Sequence, residues 1–303
     1  MAELTCPALL GSHPLGALAS FGLLRLVAAS DPGARLHFTL TDDWVAVLGS
    51  TRYATLDALI EHLSEWAISA PLDRIFGWAD DVRMPSPQYR ALLDDAVAHG
   101  DSDLVAFLCA FAADGAIDGS KKQIKPSAFY MVSGQQSFLG GARNILSQCR
   151  AQGRQVFEEA LVGPWRYATR EHSLGWDPGT ERLYALRHRA PTAEKPCCIA
   201  GAMLLGLWAL PLFPPVSERG RERTIGFVRD GGERHFSWPV FTSAIGIDEL
   251  RSLLQTRQWS ARGEAQRRSG IAAVYRSRRS EFGQGYAVLR AAQPEPAPRG
   301  RDR

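Results

Sequence analysis

The sequence predicts an α+β fold in which mixed sheets and β-hairpins pack with helices, and three observations carry that prediction. Apolar residues recur at helical spacing over Pro14–Ala29 and Gln148–Leu161, and a run rich in small and apolar residues covers Ala200–Leu210. Short β-prone runs flank turn-forming residues at Thr41-Asp42-Asp43, Asp177-Pro178-Gly179-Thr180 and Asp230-Gly231-Gly232. Apolar content of 45% and charged content of 22% over 303 residues suit an ordinary globular chain with one large core or two modest ones.

Taken in order, Pro14–Ala29 presents Leu15, Leu18, Phe21 and Leu26 on a broad apolar face. Gly16 and Gly22 weaken a helix, so their presence points to tight packing against another element. Asp31-Pro32-Gly33 stops this helix. Arg35–Leu40 and Trp44–Leu48 alternate as the arms of a hairpin, and Thr55 caps a helix over Leu56–Trp66 with Leu59, Ile60 and Leu63 inward. The result is an N-terminal α-β-β-α unit. Residues 67–118 read as mostly helical and acidic, with helices over Tyr89–His99 and Leu104–Ala113. Asp80-Asp81 and Asp94-Asp95 invite a divalent-metal reading, but adjacent carboxylates on one element point in different directions. They are read as solvated charge.

The chain is organised around Lys121–Leu146. Lys121, Lys122 and Lys125 open it, Ser127–Val132 reads as an aromatic strand, and Gln135 and Gln136 follow a Ser-Gly break. A helix beginning at Phe138 carries Gly140-Gly141 and Arg143 in its first turns, where open backbone N–H groups favour anions. Basic loop, aromatic strand and helix start together suit a polyanion surface. A buried strand beside a solvated lysine loop is the plainer alternative.

Ser173–Trp176 and Arg182–Leu186 read as a hairpin in which Arg170, Arg182, Arg187 and Arg189 surround Trp176 and Tyr184. Arginine interleaved with aromatic rings can clamp phosphates and stack bases, or its stem can simply cover a hairpin edge. Ala200–Leu210 reads as a buried helix, Arg219–Arg223 as a charged loop, and Thr224–Arg229 with His235–Val240 as another hairpin. Ile247–Leu254 is a helix, and Arg262–Arg279 is dense in arginine, with Arg276, Arg278 and Arg279 the candidate contacts there. Residues 293–303 are Pro/Arg-rich and expected to be disordered.

Net charge of +3 conceals an asymmetry. Residues 1–118 hold 6 basic and 16 acidic side chains, whereas 119–303 hold 29 and 16. This divides the chain into an expected acidic lobe (1–118), a basic α+β lobe (119–290) and a tail (291–303). Either the basic lobe meets a polyanion or the two lobes neutralise each other.

No run of 18 or more apolar residues occurs, so the sequence predicts no spanning helix and no membrane partner. No secretory signal is visible, and Cys6, Cys109, Cys149, Cys197 and Cys198 form no CxxC, which suits reduced thiols of a cytoplasmic protein. Seven scattered histidines, and the lack of any GxSxG, Walker or zinc spacing, give no catalytic residues, no metal site and no cofactor to assign. An enzyme acting on nucleotides or nucleic acid, with its site near Ser133–Arg143, stays as an alternative. So does a protein–protein adaptor.

Several segments in order resemble proteins of type I-G (formerly I-U) CRISPR interference modules: HPLGALASFGLLRLVAASDPGARLHF, DDWVAVL, TLDALIEHL, SAFYMVSGQQSFLGGAR, SLGWDPGTERLYALR, AGAMLLGLWALPLFP, FSWPVFTSAIGIDELRSLL and IAAVYRSRRSEFG. The likeness spans most of residues 10–285 and covers both large-subunit-like proteins and a helicase–nuclease-extension family. It implies a non-catalytic nucleic-acid-binding role in antiviral defence. The implied partners are guide RNA or target DNA, other effector subunits and the helicase–nuclease.

Overall fold

Residues 1–119, 121–132, 136–180, 196–256, 270–282 and 286–295 are described by the structure, a computed structural model. The α+β class holds. The chain opens with strand β1 (Ala2–Leu10), helix α1 (Pro14–Ala28), strands β2 (Arg35–Leu40) and β3 (Trp44–Ser50), and helix α2 (Leu56–Ser69). The three strands form an antiparallel sheet in the order β1-β3-β2. The expected α-β-β-α unit is therefore preceded by a strand that pairs with β3. Pro7 and a register shift between Cys6 and Leu10 break the alternation that would have revealed it.

Helices α3 (Leu72–Phe76), α4 (Ser86–Ala98) and α5 (Ser102–Phe111) follow, then a hairpin of β4 (Ala112–Asp118) and β5 (Gln123–Pro126). The expected helix over Gln148–Leu161 is divided at Gly153, which has φ 55°, into α6 (Phe138–Gln152) and α7 (Arg154–Leu161). Helix α8 (Ala200–Ala209) is buried along its whole length. Strands β6 (Pro215–Glu218) and β7 (Arg221–Thr224) make a hairpin across Arg219-Gly220, where a charged loop was expected. Next come β8 (Phe227–Asp230), β9 (Glu233–Phe241), helix α9 (Ile247–Thr256), β10 (Ile271–Phe282), β11 (Tyr286–Leu289) and β12 (Gln293–Pro294). These last strands form one antiparallel sheet, β11-β10-β9-β8, with β12 also on β10. Gln293-Pro294, expected within a disordered tail, is thus paired in a sheet.

Buried apolar residues from Leu4 to Leu289 form one continuous cluster, so the expected acidic and basic lobes share a core. Helix α1 packs on α8 at its centre, and Trp238 Nε1 on β9 donates to the Gly11 carbonyl at 2.7 Å. The division at 118/119 falls in the turn of the β4–β5 hairpin.

Ser127–Val132 is not a strand. Ala128, Phe129, Met131 and Val132 are all buried and only Tyr130 is half-buried, so burial does not alternate along the segment as it does on a half-solvated strand. The segment is a core loop, and partners other than a neighbouring strand ladder satisfy its backbone. Ser127 N–H donates to the Phe111 carbonyl, and Ala128 N–H to Thr224 Oγ1. Trp176 Nε1 donates to the Phe129 carbonyl at 2.9 Å, and Arg279 reaches the carbonyls of Ala128 and Tyr130. The Phe129 ring packs against Phe227, Phe236, Phe213 and Trp176 with centroids 4.9 to 5.7 Å away.

Candidate nucleic-acid interface

Three antiparallel strands set three arginines in one row. Arg229 on β8 stands opposite Arg234 on β9, which in turn stands opposite Arg279 on β10. Like charges directly opposite on neighbouring strands are unfavourable, so such a row needs anions near it. The chain supplies two. Glu222 of β7, itself buried, lies 3.0 Å from Arg234, and Glu281 pairs with Arg279. Arg229 is exposed and has no ion pair to any described residue.

The row lines a cleft of about 750 Å³. Facing it are Lys125 at the end of β5, Tyr130 in the core loop, and Arg83 before α4. Arg278 and Arg290 complete the basic lining, which places seven cationic side chains against Glu222, Glu233 and Glu281. Arg278 lies 2.9 Å from Glu233, and Arg290 Nε donates to Ser280 Oγ. Arg83 pairs with Asp81 at 3.3 Å and sits 4.9 Å from the Tyr130 ring centroid. Lys125, half-buried, joins Arg229 in having no ion pair to a described residue.

Tyr130 donates to Asp81 Oδ2 at 2.6 Å, and burial together with that carboxylate pushes its phenol up, keeping it a donor. Arg279 is only 9% exposed at its side chain, and burial pulls its pKa down. Its guanidinium braces the core loop against the sheet. The free cationic capacity of the cleft therefore rests on Lys125 and Arg229. Chemically, the arrangement can hold several closely spaced anions. Among the described residues no group of three or more His, Cys, Asp or Glu is placed to bind a metal ion.

The sequence-derived candidates divide between this cleft and other places. Lys125, Arg278 and Arg279 line it. Lys121 and Lys122 are exposed in the β4–β5 turn, and Arg170 is exposed outside the cleft lining. Gln136 lies 3.1 Å from the ring of His172, and Arg276 is held by Asp230 and Glu295. Arg143 donates to the carbonyls of Phe76 and Ala79, so it ties α6 to the end of α3 instead of facing a ligand. Gln135, Arg182, Tyr184, Arg187 and Arg189 lie outside the described residues.

Two candidate features are corrected. Trp176 is fully buried and donates to the Phe129 carbonyl, so it is a core residue and no base can stack on it. Its segment is a turn, not a hairpin arm, with Leu174 at φ 50° and Gly175 at φ 80°. The start of α6 is filled by the chain itself. Phe138 N–H donates to Asp81 Oδ1 at 3.2 Å and Gly140 N–H to Ser137 Oγ at 2.9 Å, while a Cβ on Gly141 would come 2.7 Å from Leu174. Asp81 takes the place expected for a phosphate.

Arg83, Tyr130, Arg229, Arg234 and Arg290 complete the cleft without having been singled out as contacts. One signal was available. A hairpin turning at Gly231-Gly232 sets Arg229 directly across from Arg234, so the turn residues alone would have put the two arginines on one face of the sheet.

No protein-family model matches the chain, and no curated protein does.

Proposed function

We propose that this protein is a non-catalytic nucleic-acid-binding component of a type I CRISPR antiviral effector module, with the arginine row as its polyanion contact. The observation that carries the reading is the cross-strand alignment Arg229–Arg234–Arg279 beside Lys125, in which two of four cations lack an internal ion pair to described residues. Counterion release then supplies most of the affinity, and contact falls on phosphates, so unrelated sequences bind alike. Resemblance to the type I-G proteins supports the setting, with guide RNA or target DNA and other effector subunits as partners. A cytoplasmic location follows from that setting. Among the described residues no helix is long and apolar enough to cross a membrane.

The test is fluorescence anisotropy with labelled oligonucleotides of unrelated sequence over a series of salt concentrations. Affinity should fall with salt, the logarithmic slope being about −0.7 per phosphate contacted on a single strand. The double variant Lys125→Ala/Arg229→Ala should reduce the slope by about 1 to 1.5. A salt-independent affinity, or a double variant with an unchanged slope, overturns the reading.

A further inference from the structure

Strand β8 forms one margin of its sheet, with β9 paired on one side and no described strand on the other. Gly231 and Gly232, at φ 57° and 86°, turn the chain so that Asp230 and Glu233 close the hairpin. In an antiparallel hairpin with a two-residue turn the closing pair exchanges hydrogen bonds and the next pair does not. Arg229 belongs to that next pair, so its N–H and C=O point away from β9, to the open margin. The same alternation reaches the far end of the strand, where Ser237 N–H donates to the Gly226 carbonyl. Among the described residues neither backbone group of Arg229 has a backbone partner.

Beyond this margin lies a cavity of about 490 Å³, bounded on its other side by the β6–β7 hairpin, a separate two-stranded sheet. Its lining is more polar than apolar. Arg234 and Arg223 reach it, but Glu222 and Glu218 already hold them. Arg229 is exposed there without an ion pair to any described residue.

These features select the occupant. A phosphate accepts from the Arg229 N–H, but its oxygens are repelled by the C=O of the same residue. One residue of an extended peptide satisfies both groups, because a hydrogen-bonded antiparallel pair exchanges both bonds. The side chain of that residue stands beside Arg229 on the same face, where a carboxylate is favoured. Its neighbours point to the opposite face, one of them beside half-buried Val228. A second copy of this chain fits poorly, since two β8 strands paired about Arg229 set arginine against arginine.

We propose that the β8 margin takes up an extended acidic segment of a partner protein as an added antiparallel strand, with Glu or Asp opposite Arg229. Main-chain hydrogen bonds supply the affinity and the carboxylate the specificity. The proposal does not rest on the nucleic-acid reading, although a bound strand and a bound phosphate exclude each other at Arg229.

The test uses a short, capped, labelled peptide alternating Glu and Val, with anisotropy for affinity and NMR hydrogen exchange for the Arg229 amide. The bound peptide should slow exchange of the Arg229 N–H by about tenfold or more and leave that of Val228, which is bonded to β9, little changed. Backbone N-methylation of the peptide at its Glu residues keeps the charge, removes the donor to the Arg229 C=O, and should weaken binding about tenfold. Arg229→Ala should weaken it about two- to fivefold. Arg229→Pro should weaken it further by removing the outward N–H, a change that an edge strand tolerates. Equal binding of the N-methylated peptide, or unchanged Arg229 exchange with peptide bound, overturns the proposal on wild-type protein alone. No binding of the peptide overturns it too and leaves the nucleic-acid reading as it stands. Protection of the Arg229 N–H by oligo-deoxythymidine and not by the peptide overturns it in favour of nucleic acid at this margin. Protection that rises with protein concentration alone overturns it in favour of a second copy.

Discussion

Gly22 of α1 lies so close to Leu205 of α8 that a Cβ built on the glycine would overlap the leucine carbonyl oxygen and stand 2.8 Å from its carbon. The obstacle is backbone in a fully buried helix, so no side chain can swing aside. Gly22→Ala is therefore expected to force the two helices apart and cost about 3 kcal/mol or more. Differential scanning calorimetry checks this. A thermal midpoint within a degree or two of wild type would mean that the crossing is looser than described.

Asp31 governs the other end of α1. Its carboxylate accepts from Ser50 Oγ, Thr51 Oγ1 and the N–H groups of Thr51 and Arg52 at 2.7 to 3.2 Å. Burial by itself would raise its pKa, but hydrogen bonds from Thr51 and Ser50 and from the backbone prevail and hold it at about 2. The folded pKa lies below the unfolded one near 3.9. The stabilisation is thus complete above about pH 4 and lost as pH falls toward 2. Thermal midpoints of wild type and Asp31→Asn should converge over that window. Curves that stay parallel there would remove Asp31 from the acid response.

Arg278 and Arg279 are neighbours in sequence with different expected roles. Arg279→Ala leaves the Ala128 and Tyr130 carbonyls without their donor in a part-buried setting and should cost about 2–4 kcal/mol. Arg278→Ala removes an exposed pair with Glu233 and should cost under about 1 kcal/mol. Urea denaturation of both variants measures this difference. Equal stability would show that the guanidinium of Arg279 does not brace the core loop.

Trp176→Phe keeps the ring contacts to Phe129 and Phe138 and deletes the Nε1 donor to the Phe129 carbonyl. A loss of about 1–3 kcal/mol is expected, and Trp176→Ala should lose about 3–5 kcal/mol. Oligonucleotide affinity of folded Trp176→Phe should match wild type. A selective loss of binding at unchanged stability would return this residue to the interface.

Local rules made much of the fold legible. The helix over Pro14–Ala28, the strands Arg35–Leu40 and Trp44–Ser50, and the helix over Leu56–Ser69 follow from period, cap and turn residues, each within a few positions. The same rules missed β1, whose alternation Pro7 interrupts, and mistook Ser127–Val132 for a strand. Aromatic and β-branched residues suit any buried environment, so composition cannot tell a sheet from a loop whose backbone bonds come from distant side chains.

The sequence by itself determined an α+β chain with basic residues concentrated after residue 118, and it brought Lys125, Arg278 and Arg279 into consideration. Tertiary structure alone decided which cations are committed. Arg143 and Arg279 are taken by backbone carbonyls, Arg276 by Asp230 and Glu295, and Arg234 by Glu222. Lys125 and Arg229 are left to face the cleft without an ion pair to a described residue. The reason is physical. A charge count is additive along the chain, whereas neutralisation acts over a few ångströms between residues that only strand register and core packing bring together.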